Sequence, residues 1–439
     1  MNDVMQIITL ISIWLSLLMS IITLSGAIAF WLKHSKVLVK IVPLKRYPKV
    51  TIVVPAHNEE LVIEKTATAI LNLNYPKDKL EVLFYADNCE DKTADVLDEV
   101  LKNKQYYKCN ARVIRRTGSG GKAGVLNDAL KIAHGEYLGV YDADAMPEEN
   151  ALYFLVKKVQ ENPQRYMAAF GRNKTRNAKQ NFLTRCINQE IVVTQRIQHC
   201  GIWQLFKIGR IPGTNFIINK KYVESIGGWR NGALTEDTDI SFKIMGSGKL
   251  IALAYNSEAF QQEPERLKDY YFQRLRWAKG NYEVVINNFK HIFDKSNWRV
   301  KLETFYYSCT FFWFNAAIVL SDFIFLANLF TMIAHVWNPN IQLPFTITSS
   351  NILLAQILLL NWLLMILLYV LQINVAMCTQ YGQATTEQIW LAIASYFTYS
   401  QLFISFQFMP YVQYFVTEFF IVMVLSGLKL KDLLINLGR

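Results

Sequence analysis

Tyr137-Leu138-Gly139-Val140-Tyr141-Asp142-Ala143-Asp144 decides the fold. Five residues of strand character run straight into two carboxylates, and Pro147 marks the turn behind them. Upstream the same alternation repeats. Short β-rich runs at Val50–Val54, Glu81–Tyr85 and Arg112–Ile114 are separated by amphipathic segments at Glu59–Leu71, Thr93–Lys104 and Gly124–Ala133. Strand and helix taking turns from Pro48 to about Phe170 predicts an α/β domain of βα units around a mostly parallel sheet. Ligands of such sheets bind beyond the carboxyl ends of the strands, where Asp87 and Asp142 both fall.

The flanks of this domain are apolar. Val4 to Leu32 contains no charged residue, longer than the roughly 20 apolar residues that span a bilayer. Asp3 precedes the run and Lys33, His34 and Lys36 follow it, the reverse of a cleaved signal peptide. Lys33, Lys36, Lys40, Lys45, Arg46 and Lys49 arrive without an acid among them, which predicts an external N-terminus and a cytosolic domain. Beyond Asp322 no Asp, Glu, Lys or Arg occurs until Glu387, so spans are expected at Thr304–Ile333 and Asn351–Met377, with Pro339 and Pro344 between them. Gln388–Leu428, interrupted at Pro410, is long enough for two crossings.

This gives a multi-pass protein of the cell membrane with about five spans. Four is the alternative, with Gln388–Phe408 lying along the interface, which Gln401, Gln407 and Gln413 favour. The expected division is a first span over 4–32, a cytosolic α/β domain over 33–262, interface helices over 263–303, membrane helices over 304–428 and a basic cytosolic tail over 429–439. Asp322 and Glu418 fall inside expected spans, where a charge faces water or a partner. The net charge of +11 over 439 residues matches anionic lipid head groups without any separate basic domain, so no nucleic-acid partner is expected. Six cysteines are scattered with no Cys-x-x-Cys pair, which excludes a zinc motif and reads as reduced thiols.

Four clusters carry chemistry. Asp142-Ala143-Asp144 offers hard oxygen ligands suited to Mg2+ or Mn2+, ions that share coordination with substrate phosphates, so the implied ligand is a nucleotide diphosphate. Gly118-Ser119-Gly120-Gly121-Lys122-Ala123-Gly124 is not a Walker loop, because Arg116 and Ala123 occupy required Gly and Ser/Thr places. Nor does it follow the first strand as a dinucleotide loop must. It is either a flexible approach that sets Lys122 against a diphosphate or a plain surface turn. Thr235-Glu236-Asp237-Thr238-Asp239 is either a helix N-cap, by Thr235 or Asp237, or the source of a general base. Gln273-Arg274-Leu275-Arg276-Trp277 offers forked donors for phosphate and a flat apolar face for a sugar ring, or else forms an interface helix against lipid.

In this order, and framed by apolar helices, Asp87, Asp142-Ala143-Asp144, Thr235-Glu236-Asp237 and Gln273-Arg274-Leu275-Arg276-Trp277 resemble the processive membrane synthases of glycosyltransferase family 2. That group includes cellulose, hyaluronan, chitin-oligosaccharide and poly-N-acetylglucosamine synthases. The resemblance covers about Pro48 to Gly280 and implies a GT-A-type fold. It implies that Pro55, His57 and Glu59, with Asp87, hold the uridine end of a UDP-sugar and Lys122 its diphosphate. Asp142 would position the nucleotide and share Mg2+ or Mn2+ with Asp144, the principal metal ligand. Asp237 would be the base, with Glu236 beside it. Gln273, Arg274, Arg276 and Trp277 would line the junction of donor, acceptor and leaving group. Gly213-Thr214 resembles the family's small-residue motif beside the acceptor, although Pro212 and Asn215 depart from its usual form.

The resemblance thus implies an inverting, processive polysaccharide synthase that passes a β-linked glycan through the membrane, with accessory secretion subunits as candidate partners. N-acetylglucosamine is the first expected sugar and glucose the second, on layout alone. A non-processive transferase acting on a lipid acceptor is the alternative. A membrane scaffold or channel with a degenerate catalytic domain is a third reading, disfavoured by the complete acidic set.

Overall fold

The computed structural model describes residues 2–34, 41–293, 295, 297–310, 330, 333–338, 352–402 and 405–406. Helix α1 (Asn2–His34) leads into β1 (Val50–Ala56), α2 (Ile63–Leu71), β2 (Leu80–Asp87), α3 (Thr93–Leu101), β3 (Asn110–Arg116), α4 (Gly121–Ile132) and β4 (Tyr137–Val140). These are the elements the alternation predicts, with ends shifted by a few residues. Strands β2 and β4 are buried at every position because helices cover both faces of the sheet, which is why, Glu81 and Asp87 apart, they read as apolar runs.

The chain continues through β5 (Met146–Pro147), α5 (Ala151–Gln160), β6 (Tyr166–Thr175), α6 (Phe182–Val193), a π-helical turn (Thr194–His199), α7 (Cys200–Phe206), β7 (Phe216–Asn219), α8 (Lys220–Ser225), α9 (Glu236–Gly246) and β8 (Leu250–Gln261). Helices α10 (Leu267–Asn288) and α11 (Trp298–Ser308) follow, then helices Ile352–Tyr381 and Thr386–Phe397. The eight strands form one sheet in the order β3-β2-β1-β4-β7-β6-β8-β5.

The first four strands are parallel, as expected, but the sheet as a whole is mixed. β7 runs antiparallel to β4 and β6, β8 runs parallel to β6, and the short β5 is antiparallel to β8. The cause is the excursion through α6 and α7. The chain leaves β6 and re-enters β7 at the same end of the sheet, so β7 opposes both neighbours. That end is also the carboxyl end of β4. Because Val140 pairs with Phe216, the residues just before β7 arrive beside those just after β4.

Among the described residues two helices are long and apolar enough to cross a membrane, Ile7–His34 and Leu360–Tyr381, rather than about five. The expected spans at Thr304–Ile333 and Gln388–Leu428 lie largely outside the described residues, as do Asp322, Gln407, Gln413 and Glu418. Helix α11 runs across the start expected for a span at Thr304. Its Val300, Glu303 and Thr304 are buried, and Arg210 donates to Glu303. Helix Thr386–Phe397 opens with a capping box between Thr385 and Gln388, and helical residues resume at 399–402 after a turn at Thr398.

The first apolar helix is joined to the domain backbone against backbone. A Cβ on Gly201 of α7 would stand 2.1 Å from the Thr23 carbonyl oxygen, and one on Gly26 2.7 Å from the Gly201 carbonyl oxygen. Only paired glycines permit this approach. Below it Phe30 is part of the main core and meets Trp31 and Tyr255 edge to face.

Candidate functional site

The glycine-rich loop encloses a cation of its own. Gly120 and Gly121 have φ of +89° and +56°, a left-handed path that glycine adopts without strain. It folds around Arg116: a Cβ on Gly118 would lie 2.7 Å from the guanidinium carbon, and the Ser119 carbonyl accepts from Nη2 at 2.9 Å. Arg116 in turn donates to Asp87 at 2.6 Å and to Asp128 at 2.8 Å. The loop therefore fixes the arginine behind Asp87 and starts α4 so that Lys122 points inward. His57 shares a hydrogen bond of 2.8 Å with the Asp87 carbonyl, and Pro55 lies opposite Tyr85 in the β1–β2 register.

Lys122 is the hub. Its Nζ donates to Asp142 Oδ1 at 2.6 Å and to the Gly213 carbonyl at 2.7 Å, and stands 3.2 Å from Glu236 Oε1. Burial by itself would lower its pKa, but Asp142 and Glu236 reverse this and hold the ammonium well above the usual lysine range. The Asp142 N–H donates to Thr214 Oγ1 at 2.9 Å, as the β4–β7 register dictates.

Asp144 is pushed up to about 7, first by burial and then by the charges of Asp142 and Glu59. Glu59 is itself raised by burial and by Asp142. Asp142 is paired with Lys122, but the charge it shares with Asp144 and Glu59 still leaves those two raised, and a divalent ion beside Asp144 is a charge that would return it to ionisation. Among the described residues no cluster of three or more candidate ligands forms a closed cage. A two-carboxylate site suits Mg2+ or Mn2+, which complete their coordination with water and substrate phosphate.

On the opposite side Glu236 and Asp237 occupy the first turn of α9. Thr235 is the N-cap residue of that helix, as one reading of the sequence expects, but it caps through its backbone carbonyl, which accepts the Asp239 N–H at 3.1 Å, and not through its side chain; Asp237 lies inside the first turn, where its Oδ1 accepts the N–H of Thr238 at 2.7 Å. Burial, then Glu236, pushes Asp237 up to about 7 against the pull of Lys122. Gly213, at φ +80°, leaves the space over this carboxylate open: a Cβ there would stand 3.1 Å from Asp237 Oδ2. Ser241 ties the two together, accepting from the Ile211 N–H at 3.0 Å and donating to the Asp237 carbonyl at 2.7 Å. Lys122, Asp142, Gly213, Thr214, Glu236 and Asp237 are thus brought to one place by α4, β4, the approach to β7 and α9.

The Gln273–Trp277 segment lies on α10, which seats on α9 where Gly280 faces Thr235; a Cβ on Gly280 would meet Thr235 Cγ2 at 2.4 Å. Arg274 differs from its expected role. It is buried and forks onto Glu190 at 2.7 and 3.1 Å, with the Tyr270 and Trp277 rings on either side at 4.9 and 4.5 Å. Its fork already holds a protein carboxylate in place of a phosphate. Gln273 is half-buried, and Arg276 and Trp277 are exposed. Among the described residues no hydrogen bond or ion pair joins Arg276 to the acidic cluster.

Glu263 and Glu190 escape sequence reasoning altogether. Glu263 is buried between the two regions and pushed up to about 8, first by burial and then, against the pull of Arg274, by Asp144 and Glu190. Asn177 holds its backbone from both sides, at 2.9 and 3.0 Å. No spacing pattern marks either glutamate, because each is set by tertiary packing. Arg116 carries a signal only as the residue that breaks the Walker pattern.

The family model described as Glycosyl transferase family 2 matches residues 51–227. The probable glycosyltransferase YdaM of Bacillus subtilis is 33% identical over 405 residues, 92% of each chain. Beta-monoglucosyldiacylglycerol synthase of Trichormus variabilis is 34% identical over 244 residues, 55% of this chain and 50% of that relative, so about half of that protein's length is matched. Poly-beta-1,6-N-acetyl-D-glucosamine synthase of Staphylococcus epidermidis is 26% identical over 248 residues, 55% of this chain and 56% of the relative. Among solved structures, the mannosyltransferase PcManGT from Pyrobaculum calidifontis, in complex with GDP-Man and Mn2+, aligns with a TM-score of 0.56 at 19% identity over 89% of this chain and 98% of that one, a likeness of fold. With a GT-A-like sheet, an acidic site at its strand ends and a relative matched over nearly its full length, the chain belongs to glycosyltransferase family 2.

Proposed function

We propose that the chain is an inverting hexosyltransferase that moves a sugar from a UDP-sugar to an acceptor hydroxyl at the membrane surface, and that it does so repeatedly, building a β-linked glycan. The observation that carries this is the position of Lys122, which ties the donor-side carboxylate Asp142 to Glu236, next to Asp237 on the acceptor side. Asp237, pushed up to about 7, is a base matched to neutral pH. It takes the proton of the acceptor hydroxyl as the oxygen bonds to the anomeric carbon, and the bond from that carbon to the phosphate oxygen breaks, its electron pair leaving with UDP. Attack comes from the face opposite the leaving group, so an α-linked donor gives a β-linked product. Gly213 leaves the acceptor room to reach the carboxylate. Asp144 and Asp142 would hold Mg2+ or Mn2+, which when bound neutralises charge on the diphosphate.

Bilayer insertion is supported by the apolar side chains that α1 and helix Ile352–Tyr381 leave exposed, among them Ile7, Ile11, Trp14, Leu360, Leu363 and Leu367. With the basic residues after α1, this supports a catalytic domain on the cytosolic face. A second reading, a single transfer to a lipid acceptor, is favoured by the diacylglycerol glucosyltransfer named for the relative from Trichormus variabilis. Membranes containing the protein, incubated with a panel of radiolabelled UDP-sugars, test both. UDP release with a long product supports the synthase, a labelled lipid carrying one sugar supports the second reading, and no UDP release from any donor refutes both.

A further inference from the structure

Where the sheet meets the apolar helices lies a cavity of about 160 Å3 that the transfer chemistry does not use. Three features set it apart. The first is charge. Arg172, on its wall, and Arg196 both donate to the single amide oxygen of Gln380, which places two guanidinium groups side by side. They are 5% and 6% exposed. Glu258 pairs with Arg172 and with Lys174, and Glu148 stands 3.6 Å from Lys174. Among the described residues no carboxylate pairs with Arg196, and burial together with the Arg172 charge pushes its pKa down, the mark of an uncompensated cation.

The second feature is unmet hydrogen bonding. Asn173 Oδ1, Thr175 Oγ1 and Gln195 Oε1 all line the cavity, and all are buried without a hydrogen-bond partner among the described residues. Buried polar atoms are nearly always paired, so three around one space call for a guest that donates. The third is depth. Trp31 lies in the last turn of α1, its ring 4.5 Å from the Arg196 guanidinium. Gln380 and Tyr381 end the other apolar helix. One candidate span therefore ends on the cavity wall and the other ends against Arg196 beside it, which on the spanning reading is the level of lipid head groups, and the π-helical turn that carries Gln195 and Arg196 is a form that recurs at functional sites.

We propose that this cavity binds the phosphate of an anionic membrane lipid whose head group also carries hydroxyls, as a phosphoglycerol does. Arg172 and Arg196 take the phosphate, while Asn173, Thr175 and Gln195 accept from the hydroxyls. The proposal rests on the reading that the two apolar helices span a bilayer, and that premise has its own readout: flotation of the full-length protein with phosphatidylcholine vesicles.

The test uses full-length protein in neutral detergent, titrated with dioctanoyl phosphatidylglycerol, dioctanoyl phosphatidylcholine or inorganic phosphate, and followed by native mass spectrometry and thermal unfolding. Phosphatidylglycerol is expected to be retained and to raise the unfolding midpoint, with phosphatidylcholine weaker. Arg196→Gln is expected to weaken phosphatidylglycerol about tenfold, the loss of one charge-assisted contact, and Arg196→Lys to restore part of it. Should Arg196→Gln fail to fold, Gln195→Leu carries the test by lowering the preference for phosphatidylglycerol over phosphatidylcholine. Equal retention of both glycerolipids by every variant overturns the proposal, and protection by inorganic phosphate alone overturns the lipid source. A protein that floats but shows no such selectivity sinks this inference and leaves the membrane reading standing; one that does not float removes the premise.

Discussion

Arg274 grips both carboxylate oxygens of Glu190, joining α10 to α6. The Tyr399 hydroxyl donates to the same carboxylate, so the segment after helix Thr386–Phe397 is tied to that point as well. This arginine is a structural clasp.

Breaking the clasp from one side leaves a buried charge without its partner, which costs about 3–5 kcal/mol. Glu190→Gln is therefore expected to lower Tm by many degrees in differential scanning calorimetry. Replacing both partners with apolar residues, Glu190→Leu with Arg274→Met, is expected to cost much less. A single variant as stable as the parent would show that the pair does not hold α10.

Asp237→Asn is expected to lower kcat by roughly 10²–10⁴, the usual share of a general base. In the parent, the rate should climb as pH passes through about 7, because the proton must leave Asp237 before it can act. UDP release measured from pH 5 to 9 reads both effects. A parent profile that is flat across neutrality would remove Asp237 from the role of base.

The same carboxyl carries a stability cost. Its folded pKa lies above the ordinary 3.8, so the folded state binds more protons than the unfolded chain between about 4 and 7, and stability falls as pH rises through that window. Asp237→Asn should accordingly unfold at a higher temperature than the parent at pH 8 and at nearly the same temperature at pH 4. Thermal melts at the two pH values check the sign.

Uptake of Mg2+ or Mn2+ at Asp144 and Asp142 is expected to release about half a proton per ion at pH 7, since Asp144 titrates near that pH when no ion is bound. Isothermal titration calorimetry in two buffers of different ionisation enthalpy measures the release, and Asp144→Asn should abolish it. Binding with no proton release in the parent would place the ion elsewhere.

Gly280→Ala puts a methyl group 2.4 Å from Thr235 Cγ2 and pushes α10 away from the helix that carries Glu236 and Asp237. The expected outcome is a fall of at least tenfold in kcat with little change in donor KM. Thr235→Ala in the same chain should recover part of the loss. Absence of any rescue would mean that the contact does not set the position of the catalytic turn.

The sheet's first half was legible because β1, β2 and β4 are short, mostly apolar, β-rich runs set between amphipathic helices. Its second half was not, because the direction of β7 depends on where a forty-residue excursion ends, and local propensity carries no such information. The strand-end places of Asp87 and Asp142 were readable from the alternation of strand and helix. The partners of Lys122 did not: a lysine after glycines reads as a phosphate ligand, whereas the folded chain sets it between Asp142 and Glu236. The partner of Arg274 was hidden for the same reason, since Glu190 lies 84 residues away in sequence. Gly213 could be placed near the acceptor by resemblance, but its reason, a left-handed turn over Asp237, needed coordinates.

The glycine contact between α1 and α7 has a mechanical consequence. Backbones touching at Gly26 and Gly201 leave no compliant layer of side chains between the anchor and the catalytic body, so the two shift as a unit. On the proposed membrane reading, the height of the transfer site over the lipid surface is then a fixed dimension of the molecule, like a tool bolted to a bench. Any stroke that advances a product must come from the workpiece or from parts not fastened at that joint.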